Sequence, residues 1–279
     1  MSKKMIPEKA LIVFKYGGNA MTEDSLKKEV LKNICALKEQ GHQVIISHGG
    51  GPFIKQALTE AGIKSEFVDG LRKTTPKAFE YVERVLKGKV NSDLVSHLNS
   101  MGQNAVGISG KDGNTVIAVK RRHYVIKDNT KEEVDLGRVG DVARVNTSLI
   151  KTLLQNEFTP VIACIADDTH GVGFNINGDM FAGHIAGALQ ADEYIVLTDV
   201  DGLLRDKNNP DTLIKHLRLD EVPGLIKDNI IQGGMIPKID SCITALKQGV
   251  KKARIINGTK PDQIVQAVNS NTGTTITQS

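Results

Sequence analysis

The chain has no tryptophan, and aromatic residues make up only 4% of its 279 positions. So few aromatic side chains argue against a stacking platform for single-stranded nucleic acid. The formal net charge of +4 comes from scattered basic residues, which suits small anionic ligands but is too diffuse to predict binding to DNA or to a membrane surface. We therefore expect neither a nucleic-acid partner nor a membrane partner.

Cysteine is also scarce: Cys35, Cys164 and Cys242 are odd in number, and no two of them form a CxxC pair. This arrangement gives no support to a zinc site and favours buried free thiols in a reducing compartment. No apolar run approaches the length of a membrane span, and no apolar stretch of signal-peptide length follows the N-terminal lysines. The expected location is therefore the cytoplasm.

Two common phosphate-binding motifs are missing as well. No stretch matches the Walker A pattern GxxxxGK[ST], and Gly171-Val172-Gly173 lacks the third glycine of a GxGxxG fingerprint. If the chain binds a nucleotide, it must therefore do so by another arrangement.

Short β-branched apolar runs alternate with helical patterns along the chain, which predicts an α/β fold with a mainly parallel sheet covered on both faces. The predicted strands are 11–14, 44–47, 105–108, 115–119, 159–164, 194–198 and 253–256. The first predicted helix carries Leu26, Val30, Ile34 and Leu37 on one face and ends at Gly41, and the second starts at Pro52. The others fill 76–86, 92–101, 147–155, 179–189, 237–247 and 261–268. The polar segment 123–145 predicts a hairpin, and no element is assigned after residue 269. A junction at 190–192 would separate a lobe of residues 1–190 from one of residues 191–279.

Four polar turns rich in glycine lie beside these elements: KYGG at 15–18, HGGGP at 48–52, NINGD at 175–179 and GGMIPK at 233–238. Glycine lets backbone amides approach an anion, and a helix N-terminus adds partial positive charge. A tight turn without a ligand is an equally common use of one glycine triplet. Four such turns, two of them with a lysine, predict a site that handles phosphate charge.

The charged residues of these turns have more than one interpretation. Lys15 follows a buried strand at the edge where α/β folds bind ligands, and Lys238 lies near the start of a helix opened by Pro237. Asp179 could be the N-cap of the following helix, or it could hold two lysine ammonium groups. Arg72 could clamp a carboxylate through its fork or be a solvated surface residue.

The segment TDVDGLL follows the predicted strand at 194–198. It could hold ribose, base or metal-bound phosphate at the edge of the sheet, or it could be a simple Asp-Gly turn. It lacks the ligand pattern of an EF-hand loop.

Taken together, these residues resemble the amino acid kinase family. The match runs in order from Lys15 to Lys238 through KYGG, HGGGP, DGLRKT, GKVN, VGISGKDG, NINGD, TDVDGLL and GGMIPK. Each segment alone is weak evidence, but the ordered set is specific, and DGLR with GKVN and GISGKDG points to the acetylglutamate branch of the family.

The resemblance implies a role for each matching residue. Lys15 and Lys238 would be the lysines that stabilise the transition state, and Asp179 would organise them. The acyl amino acid would be held by Gly50, Gly51, Arg72, Asn175 and Asn177. The nucleotide would be bound by Gly17, Gly18, Asp199, Val200, Asp201, Gly202, Leu203, Leu204, Ile230, Ile231 and Gln232.

The resemblance also implies an open, three-layer αβα sandwich. The lobe of residues 1–190 would bind the acyl amino acid and form a homodimer, and the lobe of residues 191–279 would bind ATP. The implied reaction is ATP-dependent phosphorylation of the side-chain carboxylate of N-acetyl-L-glutamate, a step of arginine biosynthesis. Mg²⁺ would be carried by the nucleotide, and we assign it no protein ligand.

The sequence departs from the family pattern in several places. Gly178 stands where alanine is frequent, and Phe53 where glutamate is frequent. Only fourteen residues precede Lys15, and residues 269–279 do not match the C-terminal motif of the arginine-inhibited branch. We therefore expect weak or no inhibition by arginine and no hexamer; strong inhibition by low arginine would contradict this.

Two other functions are compatible with the residues. One is a kinase of a related N-acylated amino acid such as N-acetylaminoadipate, because one methylene in the pocket is worth only about 1–3 kcal/mol. The other is a non-catalytic sensor of nucleotide or amino acid. The retention of both lysines and Asp179 argues against a sensor, which has no use for transition-state charges.

Overall fold

A computed structural model of the chain describes residues 9–127, 130–269 and 272–278. Its α-helices are α1 Asp24–Glu39, α2 Gly51–Glu60, α3 Pro76–Glu83, α4 Ser92–Ser100, α5 Ser148–Gln155, α6 Gly178–Leu189, α7 Val222–Lys227, α8 Ile236–Lys247 and α9 Asp262–Asn269. A π-helical stretch, Arg84–Asn91, joins α3 to α4.

The strands of the described residues number sixteen. They are β1 Leu11–Tyr16, β2 Gln43–His48, β3 Glu66–Val68, β4 Leu71–Lys73, β5 Ala105–Ser109, β6 Val116–Lys120, β7 His123–Lys127, β8 Thr130–Val134, β9 Val139–Val145, β10 Thr159–Ala163, β11 Ile165–Asp167, β12 Gly173–Ile176, β13 Glu193–Thr198, β14 His216–Arg218, β15 Lys252–Asn257 and β16 Thr274–Thr277.

Eight strands form the central sheet, in the order β14-β16-β15-β13-β1-β2-β10-β5. All neighbours run parallel except the pair β15 and β16. Every residue of β13 is buried, and so are five of the six in β1, because helices cover both faces. Helices α6 and α8 pack together against the middle strands, while α1 packs with α4 and α9. The predicted αβα sandwich with a mainly parallel sheet is confirmed.

The sequence patterns missed several short elements. Strands β3, β4, β11, β12 and β14 have only three or four residues, too few to show a period of two. The predicted hairpin at 123–145 is confirmed for β7 and β8, but β9 pairs instead with β6 and β12 in a small four-stranded barrel that also contains β11. The tail contributes β16, which lies between β14 and β15.

The central sheet is continuous across the predicted junction at 190–192. Strand β13 pairs in parallel with β1, with Ile195 opposite Phe14, and Gln190 ends α6 in a left-handed conformation with φ of 50°. The division into two lobes stays a prediction. The expectation of weak or no inhibition by arginine and of no hexamer rests partly on the segment before Lys15. Residues 1–8 of that segment lie outside the described residues.

The three cysteines are buried free thiols, as predicted. No helix in the described ranges is long and apolar enough to span a membrane.

Candidate active site

Three charged side chains meet at the C-terminal edge of the sheet. Lys15 lies near the end of β1, and Asp179 and Lys238 lie in the first turns of α6 and α8. Lys15 Nζ is 3.0 Å from Asp179 Oδ1, and Lys238 Nζ is 3.6 Å from Asp179 Oδ2. The structure therefore brings together the three residues predicted to carry catalysis, with one lysine on each oxygen of a single carboxylate. Their catalytic roles stay predictions.

Burial strengthens the electrostatics of this cluster. The side chains of Lys15, Asp179 and Lys238 are 9%, 8% and 17% exposed. Burial raises the pKa of Asp179, but the positive charges of the two lysines outweigh it and hold that pKa below its usual value. Burial also lowers the pKa of Lys238, against the attraction of Asp179. Two ammonium groups against one carboxylate leave an excess positive charge where water is scarce.

Asn177, not Asp179, caps helix α6. Asn177 Oδ1 accepts hydrogen bonds from the backbone N–H groups of Asp179 and Met180, at 3.0 and 3.1 Å. The N-cap interpretation of Asp179 is therefore wrong, because the preceding asparagine already satisfies the first free amides of the helix. This leaves the carboxylate of Asp179 free to face the two lysines.

A cavity of about 250 Å³, here called the first cavity, opens beside Lys15. All five residues predicted to hold the acceptor line it: Gly50, Gly51, Arg72, Asn175 and Asn177. Gly49 of the HGGGP turn and Ile176 of the NINGD turn line it as well, and so do Phe67, Val139 and Cys164, for which the sequence predicted no role in the site. Phe67 lies opposite Arg72 in the β3–β4 hairpin. Strands of only three residues show no alternation in the sequence, so this pairing could not be predicted.

The floor of the first cavity is a glycine turn that packs directly on the π-helical stretch. A Cβ atom on Gly50 would lie 2.8 Å from Leu86 Cδ2 and 3.3 Å from Val90 Cγ2, so a side chain there would require these buried side chains to shift. Gly50 itself has an extended φ of 175°, so the requirement for glycine is one of space and not of backbone strain. In contrast, a Cβ on Gly178 would make only ordinary contacts, at 3.7 Å or more, so alanine would fit at that position.

His48 and Asn91, which lie in the HGGGP and GKVN segments, fix this turn from below. His48 Nδ1 lies 2.9 Å from Gly49 O, and Asn91 Nδ2 lies 2.9 Å from His48 Nε2 and 2.9 Å from Val161 O. This pattern requires Nδ1 of His48 to donate and Nε2 to accept, so the imidazole is neutral. Gly107 leaves the space that the Asn91 amide occupies, since a Cβ there would lie 2.0 Å from Asn91 Oδ1.

We predict that His48 stays neutral well below the pH at which an ordinary histidine is protonated. Burial lowers the pKa of His48 to about 4, against the hydrogen bond to Gly49. Because the unfolded chain binds this proton more readily, the stabilising contribution is complete above the usual histidine pKa and is lost as the pH falls toward 4.

Nitrogen NMR of the imidazole should show an unprotonated Nε2 from pH 8 down to about 5. The free energy of unfolding should also fall less between pH 7 and pH 5 in a His48→Gln variant than in the wild type. An imidazolium signal from His48 at pH 6 would contradict the prediction.

Arg72 is held in place at the wall of the first cavity. Its Nη1 donates to Ser65 Oγ at 2.6 Å, and its guanidinium carbon lies 4.6 Å from the centroid of the Phe67 ring. A guanidinium oriented by a hydroxyl and an aromatic face is prepared for a carboxylate. Arg72 is half-buried in this arrangement, and its role in binding a carboxylate stays a prediction.

A second cavity of about 350 Å³ lies on the other side of the cluster. It is lined by Gly18, Thr198, Asp199, Val200, Gly234, Met235 and Lys238. Three of the predicted nucleotide residues, Gly18, Asp199 and Val200, are among them. Gly17 lies beside the cluster itself, since a Cβ there would be 3.3 Å from Lys15 Nζ.

The remaining predicted nucleotide residues do not line this cavity. Asp201 is paired with Lys260 Nζ and Asn257 Nδ2, both at 2.8 Å. Gly202, with φ of 141°, packs against Thr274, and Leu204 bridges to Leu213. The other four are Leu203 and Ile231, which are buried in the core, Ile230, which is half-buried, and Gln232, which is exposed. A role in nucleotide binding stays a prediction for all of them.

Within residues 9–127, 130–269 and 272–278, no group of three or more histidine, cysteine, aspartate or glutamate side chains is placed to hold a metal ion. The carboxylate nearest the lysines, Asp179, is already neutralised by them. That magnesium is carried by the nucleotide stays a prediction.

A lysine pair on one carboxylate, between two cavities at the edge of a parallel sheet, is an arrangement for handling anionic phosphate. The chain belongs to the amino acid kinase family, whose model matches residues 10–257, and it is a kinase.

Similar proteins indicate which kinases of this family the chain resembles. The chain is 45% identical over 257 residues to an acetylglutamate kinase of Methanococcus aeolicus, covering 92% of this chain and 87% of that protein. It is 47% identical over 248 residues to an acetylglutamate kinase of Geobacter sulfurreducens, covering 88% and 84%. The crystal structure of smu.665 from Streptococcus mutans UA159 matches with a TM-score of 0.78 at 29% identity, covering 96% of this chain and 99% of that one.

Proposed function

We propose that the chain transfers the γ-phosphoryl group of ATP to the side-chain carboxylate of N-acetyl-L-glutamate. The products are N-acetyl-L-glutamyl 5-phosphate and ADP, in a step of arginine biosynthesis. Relatives of 45% and 47% identity over most of the chain, both acetylglutamate kinases, support this substrate. The observation that carries the mechanism is the pair of lysines on Asp179 between the two cavities.

The cavities fit the two substrates by charge and position. The first cavity offers the guanidinium of Arg72 and the glycine turn at the N-terminus of α2, both suited to carboxylates. The second cavity offers Lys238 and lies beyond the ends of β1 and β13, where α/β folds bind nucleotides. We place the acyl amino acid in the first cavity and MgATP in the second, with the magnesium ion on the phosphates.

The chemistry requires charge neutralisation and not a general base. A carboxylate is already a nucleophile, but it must approach a polyanionic triphosphate, so positioning and electrostatic stabilisation carry the catalysis. A lysine about 4 Å from a transferring oxygen contributes about 4 kcal/mol at an effective dielectric near 20. Lys15 would serve this role from the side of the first cavity and Lys238 from the side of the second.

Steady-state release of ADP with four acceptors tests this proposal. We expect turnover with N-acetylglutamate and much lower turnover with glutamate, aspartate and N-acetylaminoadipate. Preference for N-acetylaminoadipate would identify the homologous kinase instead. Binding of ATP and N-acetylglutamate without ADP release would identify a sensor and overturn the proposal.

We predict that Arg72→Ala chiefly raises the KM for N-acetylglutamate. Removal of a bidentate partner of a carboxylate costs about 2 kcal/mol, which corresponds to a KM increase of roughly 30-fold with kcat little changed. Arg72→Lys should recover only part of this affinity, because an ammonium group lacks the fork. The KM for ATP is the internal control, and Arg218→Ala is the matched control, since Arg218 is exposed and pairs only locally with Asp220. An unchanged KM in Arg72→Ala would contradict the assignment.

We also propose a cytoplasmic homodimer joined through residues 1–190, with residues 191–279 serving ATP. The first cavity is lined by residues between Lys15 and Gly178, whereas the second is lined mainly by residues between Thr198 and Lys238. At the outer edge of the sheet, β5 pairs with only one strand, β10, among the described residues. Sedimentation equilibrium should give twice the chain mass, and a monomer would overturn this proposal.

A further inference from the structure

Two buried hydroxyl groups lie between the helices that carry Asp179 and Lys238. They belong to Tyr194 on β13 and Ser241 on α8, and both residues are fully buried. Tyr194 Oη lies 3.0 Å from Asp179 O and 3.1 Å from Ser241 Oγ. Ser241 Oγ in turn donates to Lys238 O at 2.7 Å. One chain of oxygen contacts thus runs from the backbone of Asp179 to the backbone of Lys238.

The two hydroxyl protons link the two helices. Tyr194 Oη donates to Asp179 O and Ser241 Oγ donates to Lys238 O, while either hydroxyl can donate in the 3.1 Å contact between them. Burial raises the pKa of Tyr194, which keeps the phenol protonated and able to donate. Loss of the Tyr194 hydroxyl removes the contact with Asp179 O, and loss of the Ser241 hydroxyl removes the contact with Lys238 O, so either loss breaks the chain between the two helices.

The same helices are in unusually close contact along this line. A Cβ on Gly183 of α6 would lie 2.6 Å from Ser241 O, and one on Gly187 would lie 2.6 Å from Gln248 Cβ. The two glycines, four residues apart, leave no room for side chains between the helices. The hydroxyl chain and this glycine contact together leave α6 and α8 little freedom to slide or separate.

We propose that Tyr194 and Ser241 are positioning residues that set the separation of Asp179 and Lys238. They touch neither cavity among the lining residues described, and act through the backbone of the two helices. The catalytic part of this inference rests on the proposed phosphoryl transfer, because the separation determines how far the ammonium group of Lys238 reaches toward the transferred group. The geometric part of the inference concerns only the separation of Asp179 and Lys238, and it does not depend on the reaction.

The test uses Tyr194→Phe and Ser241→Ala, each of which removes one hydroxyl and little volume. Gly183→Ala is a second kind of variant, which forces the helices apart without removing a hydrogen bond. Thr115→Val is the matched control: Thr115 is fully buried, and its Oγ1 donates to Asp112 O at 2.7 Å away from both cavities. All four are compared with the wild type well below their unfolding temperatures.

In the ADP-release assay, Tyr194→Phe and Ser241→Ala should lower kcat about 10- to 100-fold, since displacement of a reacting group by a fraction of an ångström to one ångström has effects of this size. The KM values for both substrates should stay within about twofold, because no group that binds them is lost. Thr115→Val should lower the unfolding temperature without this effect on kcat.

A second measurement needs no activity. The charged groups that face Lys238 are Asp179 on α6, Lys15 on β1 and Asp199 after β13. Because Asp179 favours the protonated lysine, moving it away lowers the pKa of Lys238. NMR of ¹³C-labelled lysine, with the Lys238 signal assigned by its loss in Lys238→Arg, should show that pKa lower by about half a unit or more in Tyr194→Phe, Ser241→Ala and Gly183→Ala, and unchanged in Thr115→Val.

The outcomes separate the two proposals. An unchanged Lys238 titration in Tyr194→Phe and Ser241→Ala overturns the positioning role, whatever the activity. An active wild type whose kcat survives both substitutions overturns it as well, and so does a rise in KM with kcat unchanged. If the wild type releases no ADP with any acceptor, phosphoryl transfer is refuted, while the titration still decides whether the hydroxyls set the ion pair.

Discussion

Replacement of Lys238 by alanine is expected to lower kcat by about 100- to 1000-fold, the loss usually seen when one group that stabilises developing charge is removed. The KM values for ATP and N-acetylglutamate should change much less, because the ammonium group acts most strongly on charge that develops in the transition state. The size of the effect follows from burial: the Lys238 side chain is only 17% exposed, so water does not screen its charge.

Lys247→Ala is the matched control for this experiment. Lys247 lies in the last turn of the same helix, is exposed, and should be replaceable without loss of turnover. Steady-state kinetics of both variants, with both substrates varied, would decide the point. Near-normal turnover of Lys238→Ala would remove this lysine from the mechanism.

The second large effect is expected for Asp179→Asn, which keeps the shape of the side chain and removes its charge. Two buried ammonium groups would then repel each other without a counter-charge, so kcat should fall by about 100-fold or more. The free energy of unfolding should also decrease by about 3–5 kcal/mol, because one partner of a buried ion pair has been removed.

The pH dependence gives this variant a distinct signature. In the wild type, burial lowers the pKa of Lys238 and Asp179 partly restores it. Without that carboxylate the lysine loses its proton at a lower pH, so the alkaline decline in kcat should begin earlier than in the wild type.

Asp192→Asn is the matched control for charge removal. Asp192 is also a carboxylate in contact with β1, since its Oδ2 accepts from Leu11 N at 2.7 Å, but it lies at the opposite end of the sheet. The Asp192→Asn variant should have a lower free energy of unfolding, but the alkaline decline in its kcat should begin at the same pH as in the wild type. If Asp179→Asn has the same pH profile as the wild type, Asp179 does not hold Lys238 in its charged form.

Much of the site could be predicted from the sequence because each part has a local signature. Lys15, Asp179 and Lys238 each stand next to a glycine turn at the end of a strand or the start of a helix, and parallel strands bring such ends to one edge of a sheet. The long strands and helices were predictable for a similar reason, since their apolar residues repeat over several turns or pleats.

The missing parts depend on contacts between residues distant in the chain. Tyr194 and Ser241 are 47 residues apart, and Asn91 and His48 are 43 apart, so no window of sequence shows either pair. The π-helical stretch Arg84–Asn91 has a period close to that of an α-helix, and the pattern predicted α-helix over part of it. The turn after β13 was predictable only in part: the position of Asp201 after a strand is visible in the sequence, but its contacts with Lys260 and Asn257, more than 50 residues away, are not.

Gly18 lines both cavities, and no other residue is common to the two sets of lining residues described. Under the proposed assignment of the acceptor to the first cavity and the nucleotide to the second, exchanges at Phe67 or Val139 would change the shape of the acceptor cavity and leave the lining of the other cavity intact. A scaffold divided in this way would be well suited to laboratory evolution toward new carboxylic acids with the same phosphate donor.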